Sequence, residues 1–269
     1  MNNARPSRFF TRVLSAVAVA IGAAVASAGG CAASADAGGG PGLSAGEARM
    51  TLVYLVTGPT SAANTPEQKK EIFAGHMANM KRLAERRQLL VAGPFGRPHD
   101  PSWRGIFVFD VPTAAQARAL AETDPGVIAG EFAVRVVEVA APVSLRRAQE
   151  LEDRMQADLK ANPPAPPAQG QLPPGLRRYV MAHARDCDAT RAAFSVNTGA
   201  PRTIFCLRFT GGDAPSGQGA AAPGSGLFVL DAQSVDAARA ALRGVAPGSV
   251  TLDQWMSTKS LEGLAVGGK

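Results

Sequence analysis

The chain has 269 residues, 46% hydrophobic and 19% charged, a balance that supports a packed core and excludes global disorder. Its formal net charge of +6 would suit a nucleic-acid partner, but three arginines sit within the first 30 residues, where there is no acid. Taking those three from the 28 lysines and arginines leaves 25 against 22 acids, a net charge of +3, too weak a field to favour a phosphate backbone, so no nucleic-acid partner is expected.

Arg5, Arg8 and Arg12 precede an apolar, alanine-rich stretch from Val13 to about Ala28. That is the anatomy of a secretory signal over residues 1–30, so the chain is expected to be exported, to the periplasm or the cell envelope. Ala26-Ser27-Ala28 suits an ordinary signal peptidase. Ala28-Gly29-Gly30-Cys31 suits a lipobox, with Ala28 where a bulky aliphatic is usual and Cys31 as the lipidated residue. Residues 31–48 are low-complexity and fit a tether or a frayed end. Membrane contact is expected only through that lipid anchor, because the apolar stretch is short and interrupted by glycine.

The run Thr51-Leu52-Val53-Tyr54-Leu55-Val56 predicts a first strand. A helix follows to about Arg87, opened by Thr65, Pro66 and Gln68 as a capping box with proline at the first helical position. Leu89 to Ala92 predicts a second strand closed by Gly93-Pro94-Phe95-Gly96, and Gly105 to Phe109 predicts a third. Thr113 and Gln116 open a second helix to about Thr123, and Phe132 to Val139 predicts a fourth strand. The order β-α-β-β-α-β is the split βαβ of a ferredoxin-like fold, here spanning residues 49–141. Leu145 to Lys160 predicts an amphipathic helix, and six prolines between Asn162 and Gly175 make a semi-rigid linker, together residues 142–175.

Residues 176–262 repeat the first half in diluted form. Gly105-Ile106-Phe107-Val108-Phe109-Asp110 is echoed by Gly226-Leu227-Phe228-Val229-Leu230-Asp231, Arg118 by Arg239, and Pro125-Gly126 by Pro247-Gly248. Strands are expected at Tyr179–Met181, Thr203–Phe209 and Val250–Met256, with a shortened helix around Asp188–Phe194 and a flexible insertion at Gly211–Ser225. The first-half strands are apolar at almost every position, so both faces of their sheet need cover. Two helices cover one face. A second sheet from the same chain would cover the other, making an intrachain pseudo-dimer packed sheet to sheet; the alternative is two independent lobes, each pairing with a copy in another chain as a homodimer. In an oxidising compartment Cys187 and Cys206 are a candidate disulfide, with two separate buried thiols as the alternative.

Between Thr51 and about Ala140, Gly58-Pro59 ends the first strand and His76 is followed by Met80 and Leu83. Leu89-Leu90-Val91-Ala92-Gly93-Pro94-Phe95, the stretch Arg104 to Asp110, and Asp124-Pro125 come next. In this combination the segment resembles the YCII-related family. The resemblance implies an α+β, ferredoxin-like fold of the dimeric α+β-barrel type, and a cleft in which a histidine and an aspartate form an active-site pair, here His76 and Asp124.

Read on their own, Phe73, His76, Met80, Leu83 and Ala84 form one helical stripe, which turns His76 toward the sheet, where its ring needs a polar partner. Asp124 stands near the negative end of a helix and before a proline, against local preference. A carboxylate beside an imidazole holds its tautomer, as general-base chemistry requires. Gly93, Pro94, Phe95 and Arg104 are the candidates for lining a substrate cleft, and His99-Asp100 reads as a solvated loop pair. The second half has Ala246 in place of Asp124 and no counterpart of His76, so it reads as inactive. The absence of a phosphate loop, a zinc motif and a nucleophile elbow points to no cofactor and no metal. The expected function is a cofactor-independent lyase or isomerase acting on a small-molecule ligand; the alternative is a non-catalytic envelope module for binding or structure.

Overall fold

A computed structural model describes residues 42–196, 199–215, 220–242 and 250–265. The signal segment, Cys31, Ala246 and Pro247-Gly248 lie outside the described residues. Lobe one runs β1 (Glu47–Thr57), α1 (Pro66–Glu85), β2 (Leu89–Pro94), β3 (Trp103–Phe109), α2 (Ala114–Ala121), α3 (Pro125–Ile128) and β4 (Phe132–Pro142). A 3-10 turn (Val143–Arg147) and α4 (Ala148–Ala161) lead into the proline-rich linker. Lobe two runs β5 (Leu176–Ala184), α5 (Cys187–Val196), β6 (Thr203–Gly212), β7 (Gly226–Leu230), α6 (Val235–Ala241) and β8 (Val250–Thr258), ending in a 3-10 turn (Lys259–Leu264).

The cap at the start of α1 forms as the sequence requires. Thr65 accepts from the Gln68 N–H, Gln68 reaches back to the Thr65 N–H, and Pro66 stands at the first turn. At α2 only half of the expected box forms: Thr113 accepts from the Gln116 N–H, while the Gln116 amide oxygen is taken by the Thr113 hydroxyl.

All eight strands join one sheet in the order β2-β3-β1-β4-β6-β7-β5-β8. Each half of that order is the same split βαβ arrangement, so lobe two repeats the topology of lobe one. The lobes meet along two edges. β4 pairs antiparallel with β6 from Val137↔Gly212 to Ala140↔Arg208. At the other seam Phe95 bridges Trp255, the Gly96 N–H donates to the Gln254 carbonyl at 2.8 Å, and the Ser257 hydroxyl donates to the Ala92 carbonyl at 2.7 Å. The sheet is therefore a nearly closed barrel made by one chain. The Gly211–Ser225 segment was expected to be an insertion throughout; instead its first two residues extend β6 and make the β4 seam.

Burial follows the two-faced pattern of the strands. Val53, Leu55, Phe107, Phe109 and Val136 pack outward under α1 and α2 with Leu83, Ala117 and Ala121. Val180, Ala182, Phe228 and Leu230 pack outward in lobe two with Cys187 and Ala238. Between the lobes lies the largest core, which includes Met50, Leu52, Tyr54, Val137 and Val139 of lobe one together with Tyr179, Met181, Leu207, Val229 and Trp255 of lobe two. The two helix-free faces cover each other, which is why strands apolar on both faces are tolerated here.

Cys187 and Cys206 are neighbours but hold no covalent bond: their sulfurs lie 3.8 Å apart as free thiols. A disulfide would hold the sulfurs at about 2.05 Å, so the two stand here as neighbouring thiols. No helix among the described residues is long and apolar enough to cross a membrane.

Candidate functional site

His76 and Asp124 meet directly. The imidazole Nδ1 lies 2.8 Å from Asp124 Oδ2, with the aspartate side chain fully buried and the histidine side chain 9% exposed. His76 sits on the α1 face turned to the sheet, as its helical stripe predicts. Gly75 lets α1 approach closely, because a Cβ there would come within 2.9 Å of the Pro125 ring. That approach sets His76 beside the start of α3.

Asp124 departs from the expected reading. It does not strain the end of a helix; it caps the next one, accepting from the Gly126 N–H at 2.8 Å with Pro125 at the first helical position. An aspartate there satisfies a free N–H and faces the positive end of the α3 dipole. With Oδ1 fixed on Gly126, Oδ2 remains for the imidazole. Asn79, one turn after His76, donates weakly to the same oxygen at 3.4 Å, while its own carbonyl accepts from Arg82 at 2.6 Å. Asn79 was missed from the sequence; its spacing of three from His76 on a helix was the available signal.

Aromatic rings wall the imidazole. Phe107 is offset-stacked at 5.7 Å between centroids, Phe132 is edge-on at 5.3 Å, and Phe73 is tilted at 5.9 Å. The carboxylate accepting at Nδ1 holds the proton on that nitrogen, so Nε2 carries the lone pair available to a reacting group.

Gly93, Pro94, Phe95 and Arg104 do not join this pair. Phe95 belongs to the core between the lobes, with Tyr54 and Trp103, whereas His76 packs on Phe107 of the outward core. Gly93 and Pro94 belong to β2 at the seam with β8. A Cβ on Gly93 would come within 2.0 Å of the Met256 carbonyl oxygen, so this glycine serves closure of the barrel rather than a cleft around His76. Arg104 is exposed and contributes its backbone carbonyl to the Phe95 N–H.

A second polar cluster lies between the lobes. His99, expected to be a solvated loop residue, and His183 of β5 both converge on Asp253 of β8. The buried Asp253 accepts from the His99 backbone N–H at 2.6 Å and lies 2.8 Å from His99 Nδ1 and 3.2 Å from His183 Nδ1. His183 Nε2 lies 2.9 Å from the Tyr54 hydroxyl. Strand register makes Tyr54 and His183 equivalent: Tyr54 pairs with Ile106 on β3, and His183 pairs with Leu227, the repeat's counterpart of Ile106.

Burial pushes the Tyr54 hydroxyl well above its usual range, and the charge of Asp253 pushes the same way. Burial also lowers the pKa of His183, more than Asp253 raises it. Burial would raise the pKa of Asp253, but the adjacent His183 imidazole and the hydrogen bonds from His99 outweigh it and hold the carboxyl below its usual range. No sequence spacing advertised this cluster. The available sign was Asp253 standing two residues before the inward-facing Trp255 on a strand.

Residues 50–140 match the family model described as YCII-related domain. Comparison with curated proteins gives no match. Among solved structures, the chain is similar in overall shape to a mutant chlorite dismutase from Candidatus Nitrospira defluvii, at 12% identity and TM-score 0.40, covering 81% of this chain and 95% of that one. It is also similar to an anthrone oxidase-like protein, at 10% identity and TM-score 0.33, covering 78% of this chain and 91% of that one. The family match therefore falls on lobe one, about a third of the chain, and leaves lobe two outside it.

Proposed function

We propose that lobe one is a cofactor-independent acid–base catalyst of the lyase or isomerase type, acting on a small substrate, within a protein exported to the cell envelope. The observation that carries this reading is the direct His76–Asp124 contact at 2.8 Å, with the aspartate anchored through its other oxygen to Gly126. A buried carboxylate that cannot swing away fixes the histidine tautomer, and Nε2 then takes and returns a proton. The three phenylalanine rings around the imidazole suit an apolar or aromatic substrate body. Lobe two contributes the covering sheet. The export reading rests on the basic and apolar N-terminal segment alone.

The test is proton exchange. Small enolisable carbonyl compounds are incubated with the protein in deuterium oxide, and exchange at the carbon next to the carbonyl is followed by NMR. The wild type is expected to exceed buffer, with His76→Ala lowering the rate by about 10²–10⁴-fold and Asp124→Asn lowering it less. Exchange that survives His76→Ala undiminished would reject the assignment.

One observation favours the second reading, a non-catalytic envelope module. The His76 side chain is only 9% exposed, so a substrate needs the surrounding side chains to move before it reaches Nε2. On that reading no compound exchanges faster than buffer, and the pair acts only as a lock between α1 and α3.

A further inference from the structure

We propose that His99, His183 and Asp253 form a binding site for a divalent transition-metal ion that fastens the two lobes together. Two imidazoles and one carboxylate lie with their donor atoms all within 4.8 Å of one another. In a zinc site, donor–metal bonds of about 2.0–2.2 Å place neighbouring donors roughly 3–3.5 Å apart. Asp253 Oδ2 already lies 2.8 Å from His99 Nδ1 and 3.2 Å from His183 Nδ1. An ion between them would draw donors that now lie within 4.8 Å of one another toward that spacing.

The hydrogen bonding left in the cluster points the same way. His183 Nδ1 is buried and, despite its nearness to Asp253, is not aligned to donate to it, so it has no hydrogen-bond partner. A buried nitrogen without a partner is costly, and a metal ion beside it removes that cost. The remaining atoms are arranged as supports for ligands. Asp253 Oδ1 is held by the His99 backbone N–H at 2.6 Å, which fixes the carboxylate. His183 Nε2 faces the Tyr54 hydroxyl at 2.9 Å, so the ring can carry its proton there while Nδ1 turns its lone pair to the ion. Trp103 packs against both rings, at 4.6 Å from His99 and 4.8 Å from His183, and limits their rotation.

The donor set selects the ion. Two nitrogens and one oxygen suit zinc and its first-row neighbours, whereas calcium and magnesium prefer oxygen alone. His99 comes from the loop between β2 and β3, while His183 and Asp253 come from β5 and β8. The ion therefore ties lobe one to lobe two close to the seam where Phe95 meets Trp255. The His99 side chain is 44% exposed, which gives an ion a route in from solvent.

The experiment uses the full chain without an affinity tag, stripped with a chelator and then titrated with Co²⁺ or Zn²⁺. Binding is read by elemental analysis after dialysis, by the ligand-field absorption of Co²⁺ and by thermal melting. The wild type is expected to keep one ion per chain and to melt at a higher temperature with it. His99→Ala is expected to weaken binding at least tenfold and to abolish the shift in melting. Cys206→Ser, which removes the competing thiol, is expected to keep both. Asp253→Asn should also lose the ion, but His99→Ala decides because its half-exposed ring can be removed without opening the core. An ion that the wild type fails to retain, or one that His99→Ala retains equally well, or one lost with Cys206→Ser, would overturn the site.

Discussion

Asp124 uses both carboxylate oxygens, Oδ1 for the Gly126 N–H and Oδ2 for His76 Nδ1, and has no exposure to water. Asp124→Ala removes a helix cap and leaves a buried imidazole unpaired, which should cost about 2–4 kcal/mol of stability. Asp124→Asn keeps an oxygen for the cap and should cost about half as much. Urea unfolding of the two variants checks the order; equal losses would mean that the cap contributes nothing. The thiol pair is a second residue-scale case. Cys206 is drawn below the usual thiol range by its hydrogen bond with Cys187, and, although burial opposes this, Arg191 adds to it. Cys187 is pushed up by the same hydrogen bond and by burial. In the reduced protein Cys206 should therefore alkylate before Cys187 near neutral pH, and Arg191→Gln should slow it roughly threefold or more. Mass spectrometry of the labelled peptides reads both rates.

At the scale of elements, the local signals were legible and the long-range pairings were not. Thr65, Pro66 and Gln68 place the start of α1 correctly because a cap is settled by a few adjacent residues. The stripe through His76 and Leu83 gives the buried face of α1 for the same reason. Asp124 was picked out as a rule-breaker, although its residue type and the following proline are the ordinary signature of a helix start; α3 is so short that its beginning was read as the end of α2. The β2–β8 seam was invisible because it joins strands far apart in the chain, and nothing near Gly93 names its partner. Once the seam is known, Gly93 has a reason. Gly93→Ala would set a Cβ within 2.0 Å of the Met256 carbonyl, a backbone atom that cannot turn aside. The variant should lose about 2 kcal/mol or more. Hydrogen exchange should quicken at the Gly96 N–H, which donates to Gln254 across the same seam. Unchanged protection at Gly96 would show that the seam does not depend on this close approach.

The molecule as a whole is held together by its shared core and by a few polar ties between lobes, and one of those ties titrates. Glu47 at the start of β1 receives Arg208 of β6 at 2.8 Å, and both side chains are largely covered, at 13% and 14% exposure. Burial would raise the Glu47 pKa, but the Ser44 N–H and the bond and charge of Arg208 outweigh it, so the folded value falls below the ordinary 4.5. A carboxylate with a depressed folded pKa adds stability that is fully present above the unfolded pKa and is lost as pH falls through the folded one. Wild type should therefore exceed Glu47→Gln in stability by about 1 kcal/mol at pH 7, and the difference should shrink below pH about 4.5. Other carboxylates titrate in the same range, so the difference between the two proteins, and not either curve alone, isolates this pair. Arg208→Met should remove the same increment, and combining the two substitutions should cost less than the sum of the single losses, because each already breaks the same contact. Chemical unfolding of the four proteins at pH 7 and pH 3 measures this. A Glu47→Gln difference that persists undiminished at pH 3 would mean that the side chain stabilises the junction by packing, with its charge playing no part.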